Sequence, residues 1–404
     1  MPRQHLVIDW PLTPYTGWGN YGIQLTQALL QRGRETPLPA YGNDHTRFCD
    51  PLWLTQLCQL EAQAEPLRRQ LGELPAGAQL LTSARLCFSP MGNAIDRPRL
   101  QARHQVGVTF FECSRFAPHH LHNLQAYDLV VAGSRWNAEL LQRLGSTPVE
   151  LVHQGIDASR FNPIAVPRLL RRSLVIFSGG KLEARKGQDI VLQAFRELLR
   201  SHPDALLMVA WGNVGGVALS TIGDMPHTQG VPPEPSAAGL AQWLTANGVP
   251  PANLVVLPPL VNLQLPNLIK QADVAIFASR CEGGTNLMAM ETLACGVPTV
   301  LSANTGHLDL LELGLPHALG VGAGGLGQVS EDITRPYGGD PLGLWGETDP
   351  AEIAALWRQL AADKAIWRQR GLQGGAAFGE RFSWTASMNR LLSLLLQRGL
   401  LDPA

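Results

Sequence analysis

The feature that most constrains this chain is a full strand, turn, helix and strand written into residues 274–303. Val274 to Phe277 is an apolar run of strand length, and Gly283 and Gly284 then offer the backbone freedom a tight turn needs. Thr285 or Asn286 can cap the helix that follows. That helix runs to about Cys295 and stops at Gly296, and Pro298 prevents its continuation. The next strand is TVLSA. A strand that feeds a helix and then a second apolar strand builds a parallel sheet. The start of such a helix faces the C-terminal edge of the sheet with partial positive charge and unpaired amides, so a phosphate or sugar hydroxyl is a natural guest. Glu291 lies about one turn inside, among Leu287, Met288, Met290, Leu293 and Ala294, where a carboxylate is costly unless something pairs with it. A ribose diol would serve. A Glu turned to solvent or bonded to a neighbouring helix is the plainer reading when the residue is taken alone.

At 404 residues the chain exceeds what one hydrophobic core serves, so two domains are expected. Lys+Arg of 32 against Asp+Glu of 33 leaves a net charge of -1, which argues against a dedicated nucleic-acid binder. Arg168, Arg171 and Arg172 form a local basic cluster that reads as solvated structural arginines, with a phosphate or membrane-surface contact as the alternative. The six cysteines, Cys49, Cys58, Cys87, Cys113, Cys281 and Cys295, show neither a CxxC pair nor zinc-ligand spacing and read as reduced, mostly buried thiols. MPRQHLVIDWP has no long apolar core of a signal peptide, and no run reaches the roughly 20 apolar residues of a membrane helix. A cytoplasmic protein is expected, with membrane association at most peripheral, at the cytoplasmic face.

Apolar strands alternate with helical stretches through the first part of the chain: LVIDW, a helix over about 21–32, VGVTFFE, YDLVVAGS, a helix over 136–144 begun by Ser134, and LVHQGID. Residues 157–167 read as a linker, after which the pattern restarts with SLVIFSGG, a helix over 188–200, ALLMVAWG and a Gly/Pro-rich loop over 212–235. NLVVLPP, DVAIFAS and TVLSA follow, in the order of a nucleotide-binding doubly wound sheet. After Trp345 the chain turns mainly helical, including 350–363 and 383–396.

In the run FSGGKLEARKGQD, Gly179, Gly180, Lys181, Lys186 and Gly187 follow a buried strand. A Gly-rich turn brings backbone close to phosphate oxygens, and two ammonium groups neutralise the charge that grows on a departing diphosphate. The run is no P-loop, because the Lys-Ser/Thr ending is missing. A solvated charged loop is the plain alternative.

Together these two segments resemble the retaining glycosyltransferases of family 4, which have the GT-B fold. The family's G-R-L-x-x-x-K-G element is matched by Gly180, Lys181, Leu182, Lys186 and Gly187, with Lys181 in place of the usual arginine. Its loop and helix with two glutamates is matched by Glu282 and Glu291, in a CEGGTN-type variant followed by TGHLD. Eight residues separate the glutamates here, where the family has seven. The resemblance implies an α/β chain with two Rossmann-like doubly wound domains facing a central cleft. An acceptor-side domain would span 1–165, a nucleotide-sugar donor domain 166–380, and a C-terminal helix in 381–404 would pack back on the first domain. It implies that Lys181 and Lys186 hold the donor diphosphate, that Glu291 binds the ribose hydroxyls and that Glu282 contacts the transferred sugar. Gly283, Gly284, Thr285, Asn286 and Leu287 would supply donors to sugar and phosphate, and Thr305, Gly306 and His307 another wall of the site, where His307 could equally cap local backbone. The base would lie near residues 259–261.

The N-terminal run TGWGNYG resembles the family's Gly-rich loop, with Gly17 and Gly19 approaching donor phosphates or acceptor and Trp18 and Tyr21 stacking on a sugar or simply packing. Where many members carry a His-Asp pair, this chain has Phe111 and Glu112, which leaves Glu112 as a partner for an acceptor hydroxyl. No DxD motif occurs, so neither metal nor cofactor is expected, and the nucleotide-sugar is a substrate. The expected activity is metal-independent retaining glycosyl transfer to a glycan, lipid-linked sugar, small polyol or protein, with no nucleic-acid partner. A sugar-nucleotide epimerase of the same fold and a non-catalytic carbohydrate-binding or scaffold protein are the alternatives. A dinucleotide oxidoreductase is disfavoured, because no GxGxxG follows the first strand.

Overall fold

The computed structural model describes residues 4–43, 50–93, 95–212, 221–223, 225–322, 325–329 and 343–403. Cys49 and residues 213–220 and 224 of the Gly/Pro-rich loop lie outside the described residues. The chain divides into two compact units: Met1–Phe111, Phe116–Gly155 and Phe382–Ala404 form the first, and Glu112–Arg115 with Ile156–Arg381 the second. The division falls at Gly155 and Ile156 rather than after residue 165, and residues 112–115 belong with the second unit.

The first unit is built on six parallel strands, β1 (Gln4–Ile8), β2 (Glu35–Pro39), β3 (Leu86–Pro90), β4 (His104–Thr109), β5 (Leu129–Ala132) and β6 (Val149–Leu151), in the order β2-β1-β3-β4-β5-β6. β5 is buried along its whole length, as a strand covered on both faces must be. The first helix, α1 (Gly17–Arg32), begins earlier than its apolar pattern indicates. Thr16 caps it by accepting from the Gly19 amide, so Gly17, Trp18 and Gly19 form the first helical turn instead of an extended Gly-rich loop. A Cβ on Gly19 would stand 2.1 Å from the Thr13 carbonyl oxygen, so this glycine is needed to let the helix close on the segment before it. α2 (Pro51–Gly72) is a long helix carrying Pro66 inside it. Ser134 caps α3 (Arg135–Gln142) through the Asn137 amide, as its position indicates. The chain's last long helix, Trp384–Gln397, lies in this unit and packs on α1, where Trp384 meets Tyr21 edge to face.

The second unit repeats the plan with β7 (Val175–Gly180), β8 (Leu206–Trp211), β9 (Leu254–Val256), β10 (Val274–Phe277), β11 (Thr299–Ser302) and β12 (Ala318–Val321). The order is β9-β8-β7-β10-β11-β12, all parallel. Counted from β7 this is 3-2-1-4-5-6, the doubly wound order in which the direction of winding reverses between β7 and β10. The crevice outside the carboxyl ends of those two strands is where such sheets bind ligands. Between strands lie α4 (Gln188–Leu199), α5 (Ala237–Ala246), α6 (Leu287–Ala294) and α7 (His307–Leu313). α8 (Pro350–Ala362) packs on α4 and buries Trp357 completely. α9 (Lys364–Arg381), in the stretch expected to be mainly helical, lies along α6 with close glycine contacts. Full burial of such apolar side chains stabilises by about 1.5–3 kcal/mol each. The five described cysteines are free, and four are buried. Among the described residues no helix is long and apolar enough to cross a membrane.

Candidate donor site at the edge of the second sheet

At the carboxyl end of β7 the chain makes a short 3-10 turn, Ala184–Lys186, before α4. At the carboxyl end of β10 it makes the loop that leads into α6. The two segments are joined by Arg280, which is buried: its backbone amide donates to the Arg185 carbonyl, and its guanidinium donates to both oxygens of Asp189, to Glu347 and to the Ala184 carbonyl. Its pKa is raised because Asp189 and Glu347 outweigh the cost of burial. This arginine helps fix the spacing of the two loops, together with the contacts of Arg185 and Lys186 to Cys281 and Glu282.

Glu282 sits where they meet, 4 % exposed. Lys186 Nζ lies 2.7 and 2.9 Å from its two oxygens, and Arg185 Nη1 is 3.2 Å from Oε2. Ser279 Oγ and Asn286 Nδ2 also donate to it. Burial raises its pKa, but the two cations overcome that and hold it at about 2. Arg185 is buried among Glu112, Glu183 and Glu282, and their attraction keeps its pKa well above the usual value against the effect of burial. Glu112 in turn is pushed up, by burial first and then by the neighbouring carboxylates, with Arg185 opposing.

Asn286 performs two tasks. Its Oδ1 accepts from the Ala289 amide and caps α6, while its Nδ2 orients Glu282 and stands 3.3 Å from His307 Nε2. It takes a positive φ of 66°, a conformation Asn tolerates better than most residues. Because an amide nitrogen can only donate, the His307 Nε2 facing it accepts and is unprotonated. That agrees with a pKa pushed down to about 4 by burial and by Lys186, with Glu282 opposing. The Gly306 amide donates to the Glu282 carbonyl, and a Cβ there would stand 1.8 Å from the Gly284 carbonyl oxygen, so only glycine lets this turn approach the loop. Thr305 Oγ1 accepts from the Glu282 amide.

Glu291 is 3 % exposed on α6, with Asn262 donating to it. Burial outweighs that one bond and raises its pKa to about 8, so it holds its proton at neutral pH. Asn262 lies close to the 259–261 stretch singled out for base binding.

Lys186, Glu282, Asn286, Gly306 and His307 are thus brought together, and Glu291 lies on the helix that begins beside them. Lys181 is not part of the cluster; its side chain is exposed. Arg185, one residue before Lys186, provides the second cation instead. Thr285 is fully buried, and its hydroxyl donates to the Met290 sulfur. Leu287 opens α6 and Gly283 and Gly284 precede its cap, as the motif indicates. Gly17 and Trp18 lie in the opening turn of α1, with Trp18 edge to face on Phe110, and Glu112 lies beside Arg185. Phe111 is buried in the core of the first unit. Arg185, Arg280 and Asn262 were missed from the sequence. The only available signal for the first was the adjacent basic pair, which does not say which of the two points inward.

Residues 165–317 match the family model described as glycosyl transferases group 1. The chain is 30% identical over 275 residues to the D-inositol 3-phosphate glycosyltransferase of Segniliparus rotundus, covering 66% of this chain and 51% of that protein. It therefore spans about half the length of the curated relatives it matches. Among solved structures it is similar to the sucrose-phosphate synthase of Thermosynechococcus elongatus, with a TM-score of 0.63, 15% identity, and 98% and 99% of the two chains covered. The Anabaena protein HepE in complex with UDP and glucose gives a TM-score of 0.63 at 14% identity over 97% and 99%. These likenesses establish the GT-B fold of the chain.

Proposed function

We propose that the chain is a retaining, metal-independent glycosyltransferase of the family 4 kind, with the CEGGTN loop as its variant donor motif. It moves a sugar from a nucleotide-sugar to an acceptor hydroxyl. The observation that carries this reading is the convergence of Lys186, Arg185 and Glu282 at the point where the second sheet reverses its winding, beside the N-terminus of α6. Two cations and a helix start are what a departing nucleoside diphosphate requires, and one such donor contributes about 10²–10³ in rate elsewhere.

Five hydrogen bonds already reach the Glu282 carboxylate. A carboxylate offers about four lone-pair sites. Donor binding therefore exchanges partners: Lys186 and Arg185 turn from Glu282 to the diphosphate, and Glu282 is released to a hydroxyl of the transferred sugar. Glu291 takes the ribose diol, whose two hydroxyls add to the single bond it receives from Asn262. Lys186 and Arg185 neutralise the leaving oxygen as the anomeric bond breaks, and the acceptor attacks from the same face. Glu112 meets the acceptor hydroxyl. The lack of a DxD motif supports departure without a metal. The HepE complex makes UDP-sugars the first donors to try, and the Segniliparus relative's name puts a phosphorylated small polyol first among acceptors. A glycan, a lipid-linked sugar and a protein remain in the panel. Cytoplasmic residence with at most peripheral membrane contact completes the reading.

The test is a turnover screen of the purified chain against UDP-, GDP- and ADP-sugars with EDTA present, across that acceptor panel, with the anomeric configuration of any product read by NMR. Transfer with retention supports the proposal. Inversion, or activity that requires a divalent metal, contradicts it. Interconversion of the donor sugar without an acceptor would point to the epimerase, and binding without turnover to the carbohydrate-binding protein.

A further inference from the structure

The opposite edge of the second sheet carries a second concentration of charge that the donor site does not use. Just before β10 and β11 begin, a small surface concavity of about 40 Å³ is lined by residues from four separate stretches of the chain. Four of its side chains are cationic: Arg168, Lys270, Lys364 and Arg368. One is a carboxylate, Asp273, and it is already engaged. Its Oδ1 accepts from Arg168 at 2.8 Å, and its Oδ2 from the Val175 amide at 2.9 Å, with Lys364 at 3.5 Å. Lys270 reaches a neutral partner, the Asn162 side-chain oxygen, at 3.0 Å. Four cations less one carboxylate leave a local charge of +3 in one concavity of a chain whose net charge is -1. Like charges gathered in a recess repel one another, and a recess focuses their field outward. Asp273 is shared by Arg168 and Lys364, and the lining residues offer no carboxylate to Lys270 or Arg368, so an anion from outside would complete the balance.

We infer that this recess is an anion site, separate from the donor site, that takes a phosphoryl group. Arg168 and Arg368 supply planar forks suited to phosphate oxygens, and Lys270 and Lys364 act as point charges. The site and the donor site lie at opposite ends of α6: Asn286 caps its start among the donor residues, and Cys295 and Gly296 past its end line the recess. An eight-residue helix places those ends about 12 Å apart. Two exposed apolar side chains at the recess, Ile164 (70% exposed) and Leu372 (43%), suit the acyl chain of a phospholipid as well as they suit open solvent. The phosphoryl group is thus carried either by a soluble compound or by a lipid headgroup.

The experiment uses the full chain with Lys186→Ala, so that the donor site does not contribute. It is titrated calorimetrically with inorganic phosphate and pyrophosphate against sodium chloride of equal ionic strength. In a second arm it is floated with phosphatidylcholine vesicles with and without phosphatidylglycerol. Saturable binding of pyrophosphate, weakened about tenfold or more by Lys270→Gln with Arg368→Gln, supports the site with a soluble ligand. Flotation with the anionic vesicles only, lost in the same double variant, supports it with a lipid headgroup. Arg368→Gln alone, at an exposed position, gives a partial loss and guards against misfolding of the double variant. Absence of both effects, or binding that the substitutions leave unchanged, overturns the inference.

Discussion

The carboxyl ends of the two sheets have the same strand-to-helix layout and different chemistry. In the second unit the loops after β7 and β10 bring Arg185, Lys186 and Glu282 together, with His307 neutral beside them. In the first unit the segment after β1 is dominated by aromatic packing: Trp10 and Phe110 lie edge to face on Trp18, and Tyr21 packs against both. A single buried carboxylate, Asp9, stands at the end of β1, and burial raises its pKa to about 7 against the opposing effects of Arg99 and Tyr41. The contrast separates burial from partnership. Glu282, Glu291 and Asp9 are all almost fully buried, yet only Glu282, with two cations beside it, is held near 2. An edge that keeps a carboxylate ionised by means of paired cations has charge to offer a phosphate ligand; an edge of packed rings has not.

Removing the shared carboxylate attacks that contrast most directly. Glu282→Ala leaves Arg185 and Lys186 without their common partner, and a buried pair broken on one side costs about 3–5 kcal/mol. Urea unfolding should show a loss of that order, and a change below about 1 kcal/mol would mean that the cluster is not coupled. Lys186→Ala should keep the fold, since Arg185 still faces Glu282, and should lower turnover with a nucleotide-sugar about 100-fold in a steady-state assay.

Glu291 and Asp9, whose pKa values burial raises, give a pH signature of opposite sign to that of Glu282. Folded Glu291 keeps its proton up to about pH 8, whereas its ordinary value is 4.5, so the fold loses stability as pH rises through that window. Glu291→Gln mimics the protonated form and should raise Tm by a few degrees at pH 8 and by nothing at pH 4. Asp9→Asn should do the same to a smaller extent, between pH 3.8 and about 7, which sharpens the comparison by producing the effect in the other unit. A Tm advantage that shrinks with rising pH in either variant would refute the assignment. Lys181→Ala should change donor turnover by less than about twofold, because an exposed lysine outside the cluster contributes little. A loss comparable with that of Lys186→Ala would restore the lysine pair that the motif implies.

Much of the second unit could be read from residues alone. The apolar runs at 175–180, 206–211 and 274–277 are strands buried on both faces, and Asn286 and Gly296 bound α6 where capping and left-handed preferences place them. The first unit was less legible for physical reasons. Gly17 and Gly19 have poor helix propensity and read as loop, but the Thr16 cap and the close approach to Thr13 override it. α2 carries Pro66 in its interior, which masks the helical pattern. At the site, side-chain direction was the missing information. In KLEARKG the 3-10 turn sends Arg185 and Lys186 inward and leaves Lys181 outside, which spacing in the sequence does not encode. Asn262 and Arg280 act through contacts made by distant segments, and no local pattern marks them.

The central claim is that Lys186 and Arg185 exchange Glu282 for a diphosphate. It is tested most directly by calorimetric titration of the chain, with EDTA present, with each nucleoside diphosphate and the matching monophosphate, beside Lys186→Ala. The account predicts that one diphosphate binds at least about tenfold more tightly than its monophosphate and that Lys186→Ala removes this margin. Equal affinity for the two nucleotides, or a margin that survives the substitution, would contradict it.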